Sequence, residues 1–501
     1  MDAFDPPVVR FSPEQVARML VGTGARSGPL HKRLSDGLAE LIDRGELPPL
    51  AVLPPERSLA AALTLSRTTV VTAYQTLRQD GRVERRQGSG TRVLPSRVRA
   101  VVSSGLLIGD HAATPFLDGP LATVDFATAA LPSLELVADV AAQLSPDDYR
   151  RLIRPHHGYH LRGLPALRER IARWYSEAGV PTVVDQILIT SGAQHALELV
   201  ARGCLQPGDG VVVEEPTYRG ALEAFARTGS RLRSVHMDAD GIDVAALERV
   251  VTSEPPRLVY VQPEVHNPTG AALSPERRQR LVRLASAEQF VLVEDSSLAG
   301  TVFHGPTGQP VALPLVCPQP LASNPRLITI GSMSKLFWGG LRVGWIRASP
   351  QVVSRLAQMR GVTDLGTSLF AQEIARRLFD HADDATAERR RQLPAGLQTM
   401  TGLLAEHLPD WTWQPPRGGA SLWVRLPHGD ATHFAQVALR YGVALLSGAV
   451  FSAKGQGDDH TRLPYALPSE TLRSGVGRLA QAWRAYTERG LGDASVVSVV
   501  T

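Results

Sequence analysis

The sequence predicts an α/β protein in two unequal parts: a small N-terminal helix-turn-helix domain with a basic hairpin, and a larger α/β domain on a largely parallel sheet. Three observations predict it. Two short helical patterns, separated only by "TL", precede a hairpin pattern within the first hundred residues. A stretch of roughly 25 residues without periodicity follows, long for a loop inside one domain. Beyond it, apolar strands alternate with helices, the pattern of a sheet covered by helices. A chain of 501 residues also exceeds what one core supports. The expected boundaries are 1–95 for the first domain, 96–121 for the linker and 122–501 for the second domain.

The first element is a short helix opened by Ser12-Pro13-Glu14-Gln15, with Ser as cap, Pro in the first turn and Gln three positions after the Ser. A second helix runs from about Leu30 to Arg44, with Leu34, Leu38, Leu41 and Ile42 at helical spacing. "GELPPLAVLPPE" then breaks the pattern with prolines. Glu56 to Leu63 forms the first helix of the tight pair. The second starts at the N-cap Ser66 and stops at Gly81, with Val70, Ala73, Tyr74 and Leu77 as its buried stripe. Ser66, Arg67, Thr68 and Thr69 crowd hydroxyls and a guanidinium at its N-terminus, the end of a recognition helix that meets phosphates and base edges. "RVERRQGSGTRV" reads as two strands, Val83–Arg86 and Thr91–Leu94, with Gly88-Ser89-Gly90 at the tip. Arg85, Arg86 and Arg92 flank that tip, so the hairpin is a wing able to reach a minor groove.

Charge supports this reading. From Glu56 to Arg97 there are eight arginines against three acids, a local excess of +5 in a chain whose net charge is +4. A concentrated basic face implies a polyanion partner. The stretch "LPPERSLAAALTLSRTTVVTAYQTLRQDGRVERRQGSGTRV" resembles the winged-helix domain of the GntR family of bacterial repressors. The resemblance implies that Arg57, Arg67, Thr69, Gln87 and Gly88 approach double-stranded DNA.

In the second domain, "QILITSG", "GVVVEEP", "RLVYVQP", "FVLVEDSS" and "RLITIGSMSK" read as buried strands. Ligands of such sheets sit at the carboxyl ends of the strands, and all five ends carry small or polar residues. Ser191-Gly192-Ala193-Gln194 leads into a helix whose free N–H groups suit a phosphate. Tyr218 puts a ring at the same edge, Asn267 an amide and Asp295 an acid. Ser332 and Ser334 flank Lys335, and Arg342 follows. Lysine occurs only at positions 32, 335 and 454, so Lys335 stands out in an Arg-biased chain. A phosphate site, a stacking ring, an acid, an amide and an amine are the parts that hold pyridoxal phosphate. The amine must be Lys because Arg cannot lose its proton and form an imine.

Residues from about Asp125 to Glu488 resemble a fold-type I aminotransferase, and the whole chain resembles the MocR subgroup of GntR regulators. The resemblance implies Lys335 as the Schiff-base lysine, Asp295 as partner of the pyridine nitrogen and Tyr218 as the stacking ring. It implies Ser332 and Arg342 as phosphate ligands and Asn267 as partner of the ring hydroxyl. Arg462, in "HTRLPYALP", matches an arginine that grips a substrate carboxylate, and Tyr159, in "HHGYHLRGL", a tyrosine that reaches the neighbouring subunit's phosphate. One position departs: where the family writes "EDDYD", this chain has Glu294-Asp295-Ser296-Ser297, so a tyrosine expected to bond the ring hydroxyl falls on Ser297.

The leading expectation is therefore a homodimeric transcriptional regulator that binds a two-half-site operator and senses pyridoxal phosphate or an amino compound. The alternative is a working aminotransferase with an accessory DNA-binding domain. A large domain that only dimerises needs no Lys335. The pair His156-His157, with no acid or Cys at ligand spacing, reads as a polar loop rather than a metal site, and Trp411 and Trp413 as strand packing. There is no apolar run of about 18 residues for a membrane span and no secretory h-region. The two cysteines, Cys204 and Cys317, sit in apolar contexts, which fits a reducing cytoplasm.

Overall fold

In the computed structural model, residues 11–21, 29–43, 47, 51–79, 82–86, 90–93, 123–154, 157–303 and 326–488 are described. They fall into two compact units, Met1–Ser104 and Gly105–Thr501. The expected linker, Gln87, Gly88, His156 and Cys317 lie outside the described residues.

The N-terminal unit begins with α1 (Pro13–Val21). Ser12 caps it reciprocally: Gln15 N–H donates to Ser12 Oγ at 3.2 Å and Ser12 N–H to Gln15 Oε1 at 2.8 Å. α2 (Leu30–Asp43) buries Leu34, Leu38, Leu41 and Ile42, as its spacing predicts. α3 (Glu56–Ala62) and α4 (Arg67–Gln79) form the tight pair. The turn between them places Thr64 at φ +55°. Val70, Ala73, Tyr74 and Leu77 are buried in the shared core, and the Tyr74 hydroxyl donates to the Pro54 carbonyl at 2.9 Å. The hairpin is β2 (Val83–Arg86) with β3 (Gly90–Val93). A third strand, β1 (Val52–Leu53), pairs antiparallel with β3. It lies inside the proline-rich stretch, where two residues between Pro pairs carry no periodicity to read.

The C-terminal unit opens with β4 (Val124–Asp125). Its main sheet comprises β5 (Ile187–Thr190), β6 (Gly210–Glu215), β7 (Arg231–Asp238), β8 (Gly241–Ile242), β9 (Leu258–Val261), β10 (Val291–Asp295), β11 (Leu327–Ser332) and β12 (Gly344–Arg347). Their order is β5-β12-β11-β10-β9-β6-β7-β8. From β11 to β7 all neighbours are parallel, whereas β12 runs antiparallel between β11 and β5. The five strands expected from sequence are all present, and the sheet is largely parallel. Strands β5, β6 and β9 to β12 are buried along nearly their whole length, as expected of a sheet covered on both faces. A second sheet holds β13 (Thr412–Trp413), β14 (Ser421–Arg425), β16 (Leu446–Ser447) and β17 (His460–Pro464), while β15 (Val443–Ala444) pairs with β4. Trp411 is buried against Phe434 and Trp483, a packing role. No described helix is long and apolar enough to cross a membrane.

Candidate functional site

In the N-terminal unit, Ser66 caps α4: Thr69 N–H donates to Ser66 Oγ at 3.1 Å, and the two hydroxyl oxygens lie 2.8 Å apart. Arg57, Ser66, Arg67 and Thr68 are exposed and Thr69 half-buried. Arg67 begins α4 and is exposed, at the helix end whose N–H groups favour an anion. Arg85 and Arg86 lie on β2. Arg67→Ala is expected to cost about 1–3 kcal/mol in binding a preferred DNA sequence if Arg67 reads a base bidentately. Arg85→Ala and Arg86→Ala should each lower the salt slope of binding by about one unit. Binding isotherms on preferred and random duplexes over a salt series check this. Equal loss on both duplexes for Arg67→Ala would make it a backbone contact.

In the C-terminal unit, strand register gathers the predicted anion-binding residues. Ser332 on β11 lies opposite Gly344 on β12, which lies opposite Thr190 on β5, one residue before Ser191. A side chain at Gly344 would stand 2.7 Å from the Gly192 carbonyl carbon, so glycine is what allows this approach. Gly192 caps the helix Ala193–Cys204 at φ +88°. Arg342 Nη2 donates to the Ser191 carbonyl at 2.6 Å. Ser332 Oγ accepts from Ser334 N–H at 3.2 Å. Thus Ser191, Gly192, Ala193, Arg342 and Ser332 converge on one helix start. Two further residues brace it. His195 Nδ1 accepts from Ser191 N–H at 3.1 Å, and Thr367 Oγ1 lies 3.5 Å from Ser191 Oγ and accepts from the buried Arg360.

Tyr218 joins the same edge through its hydroxyl, which donates to Gln194 Oε1 at 3.0 Å, while Gln194 Nε2 donates to the Gly220 carbonyl at 3.0 Å. Burial, with Asp295 adding, pushes the Tyr218 phenol up to about 12, so it stays a neutral ring at physiological pH. Asp295, at the end of β10, is 2% exposed. Tyr260 on β9 donates to its Oδ2 at 2.8 Å, and Ser297 N–H to its Oδ1 at 2.9 Å. Burial raises the carboxyl above its ordinary value, and the Ser297 and Tyr260 hydrogen bonds oppose that rise. Ser297, where a tyrosine was expected, is thus engaged with Asp295.

Asn267 Oδ1 accepts from Arg462 Nη1 at 3.2 Å. Behind it, Asn267 N–H donates to Gln262 Oε1 at 3.1 Å and Gln262 N–H to Glu214 Oε2 at 2.9 Å. Burial raises Glu214 to about 8, so this carboxyl is largely protonated at neutral pH. Arg462 on β17 is buried, lies 4.9 Å over the Phe451 ring, and donates through Nη2 to the Ala127 carbonyl. Its Nε is buried without a hydrogen-bond partner among the described residues. Lys335 Nζ donates to the Ala129 carbonyl at 2.7 Å. Burial, with Arg462 and Arg389 adding, holds its amine down to about 8. Tyr159 is 58% exposed, its ring centroid 5.5 Å from that of His157.

Sequence reasoning missed Tyr260, His195, Thr367 and the carbonyls of Ala127 and Ala129. Tyr260 read as one more apolar residue of "RLVYVQP"; its signal was a hydroxyl in an otherwise aliphatic strand.

Residues 132–479 match the family model "Aminotransferase class I and II", and residues 30–93 match "Bacterial regulatory proteins, gntR family". The HTH-type transcriptional regulator YdfD of Bacillus subtilis is 27% identical over 90% of this chain and 95% of its own length. The probable rhizopine catabolism regulatory protein MocR of Rhizobium meliloti is 28% identical over 92% of this chain and 95% of its own. Among solved structures, the α-aminoadipate aminotransferase LysN of Thermus thermophilus, complexed with N-(5'-phosphopyridoxyl)-L-leucine, superposes with a TM-score of 0.65. It is 30% identical and covers 74% of this chain and 94% of its own.

Proposed function

Because the chain belongs to the aminotransferase class I and II family and carries a GntR-type DNA-binding domain ahead of that region, we propose that it is a MocR-type transcriptional regulator whose larger domain binds pyridoxal phosphate. In this reading residues 1–95 bind DNA, 96–121 link, and 122–501 sense the cofactor or an amino compound held by it. The convergence of Lys335, Asp295, Arg342 and the Gly192 helix start on one strand edge is the observation that carries the proposal.

The residues present fit the cofactor. The helix start at Gly192, with Arg342, Ser191 and Ser332, would hold the phosphate. Tyr218 would stack on the ring, Asp295 would hold the ring nitrogen's proton and Asn267 would face the ring hydroxyl. The orphaned Nε of Arg462 leaves that guanidinium with bonding capacity for a carboxylate. When bound, pyridoxal phosphate supplies an aldehyde for covalent attachment and a ring that withdraws electrons from an attached amino compound. Lys335 offers an amine that loses its proton near pH 8. Asp295 is held in place through both oxygens, by Tyr260 and Ser297.

A homodimer completes this reading. Tyr159 is 58% exposed, as a side chain that reaches a second copy's phosphate site would be. Two winged helices per dimer require an operator with two half-sites. A ligand acts only by binding one arrangement of the domains better than another, and the coupling is reciprocal. Cofactor should therefore change DNA affinity, and DNA should change cofactor affinity by the same factor. The test is a cofactor titration with and without a duplex selected by the full-length protein from a random pool. Identical cofactor affinities would leave the working aminotransferase as the better account, and steady transamination of an amino acid would establish it.

A further inference from the structure

The segment Asp125–Pro132 begins four residues after the expected linker and forms a strap that meets two side chains of the site. Its two ends are fixed. At one end β4 pairs with β15, Phe126 N–H donates to the Ala444 carbonyl at 2.8 Å, and the Phe126 ring is fully buried. At the other, Arg389 Nη2 donates to the Pro132 carbonyl at 2.7 Å. Between the ends, the strap's backbone is tied by two cations of the site itself. Arg462 Nη2 donates to the Ala127 carbonyl and Lys335 Nζ to the Ala129 carbonyl. The residue between them is not satisfied: the Thr128 hydroxyl oxygen is buried and has no hydrogen-bond partner among the described residues. A buried hydroxyl left in that state is costly, so the strap has something to gain from rearranging.

Both ties use groups that the proposed ligands would claim. We propose that the 125–132 strap is the element that reports occupancy of the site, held by Lys335 and Arg462 at rest and released when a ligand takes those groups. The inference rests on the reading that Lys335 takes pyridoxal phosphate. Attachment of the aldehyde carbon to Nζ replaces the amine that donates to Ala129 O, with water leaving. A carboxylate on Arg462 competes in the same way with Ala127 O. Because β4 and the Arg389–Pro132 bond fix its two ends, release loosens the strap between them without any displacement of the sheet. Asp125 Oδ1 accepts from the Ala127 and Thr128 N–H groups at 2.8 and 3.0 Å, so the two site cations hold the carbonyl side of the strap, which makes it a two-state element that both ligand classes bias.

The experiment is amide hydrogen exchange on the full-length protein, reading peptides that span residues 124–133. It is run alone, with pyridoxal 5'-phosphate, and with pyridoxine 5'-phosphate, whose alcohol cannot capture an amine. Visible absorbance reports attachment in each sample. Pyridoxal phosphate should speed exchange of the strap by roughly two- to tenfold, the opening equivalent of one net hydrogen bond, and pyridoxine phosphate should not. Lys335→Ala, which lacks the donor, should show the faster exchange with no ligand. Attachment without a change in the strap overturns the proposal and leaves the cofactor reading intact. Equal loosening by pyridoxine phosphate, or wild-type exchange in Lys335→Ala, overturns it as well. No attachment at all removes the cofactor reading and the strap proposal together.

Discussion

Replacing Lys335 by Ala is expected to abolish the visible absorbance of attached pyridoxal phosphate and every borohydride-trappable adduct, while Lys454→Ala leaves both unchanged. The argument is chemical before it is structural. The chain has three lysines, and 50 of its 53 basic residues are arginines, which stay protonated and cannot attach an aldehyde. Among the three, Lys335 alone lies among the residues of the strand edge. Burial and the neighbouring guanidiniums of Arg462 and Arg389 bring its amine down to about 8. The direction sets the pH dependence. Below pH 8 the amine is mostly protonated and unreactive; above it the neutral form dominates. The attachment rate of the wild type should therefore rise with pH and level off above about 8. A residue that merely packed against the site would show neither that profile nor the loss of the adduct. A reducible adduct that survives in Lys335→Ala would mean that another amine carries the cofactor.

Lys335 was legible because its rarity is written in the chain, and so were the strand ends around it, since small and polar residues after an apolar run mark a sheet's carboxyl edge. The tight turn and the capping Ser66 were legible for the same reason: each is a local signal. What sequence hid was non-local. β12 reads as apolar residues after Lys335, and nothing in "VGWIRA" says that it runs antiparallel between β11 and β5. Gly344 makes sense only once Gly192 is seen against it. β7 carries Arg231, Arg233, His236 and Asp238, too many polar residues to stand out as a buried strand. The carbonyls of Ala127 and Ala129 are backbone groups and have no sequence signature, yet they meet two of the cations singled out from sequence. Tyr159 was read with a neighbouring subunit in mind, and on a single chain it is 58% exposed.

Asp295→Asn is expected to weaken pyridoxal phosphate binding by roughly 10²–10⁴-fold, the scale of about 3–5 kcal/mol for removing one partner of a buried ion pair. The buried carboxyl sits above its ordinary value, so burial works against its ionised form. The sign follows: the stability it contributes is full below its unfolded value and is lost as pH rises through the raised folded value. Burial thus opposes the carboxylate form, and a protonated ring nitrogen beside it would relieve that opposition. Loading with cofactor should accordingly raise the melting temperature of the wild type at pH 7, and raise it much less in Asp295→Asn. Tyr260→Phe isolates the bracing. It keeps the ring that packs edge-on to Phe225 at 5.6 Å and removes only the hydroxyl that donates to Asp295 Oδ2. One hydrogen bond to an ionised oxygen contributes about 1.5–3 kcal/mol, so affinity should fall roughly tenfold to a hundredfold. Cofactor titration followed by absorbance, with thermal melts of free and loaded protein, measures both effects. If Asp295→Asn gains as much melting temperature from the cofactor as the wild type does, the charge at Asp295 is not what the ring meets. In that case Tyr260 and Ser297 brace a carboxyl whose role is confined to the fold.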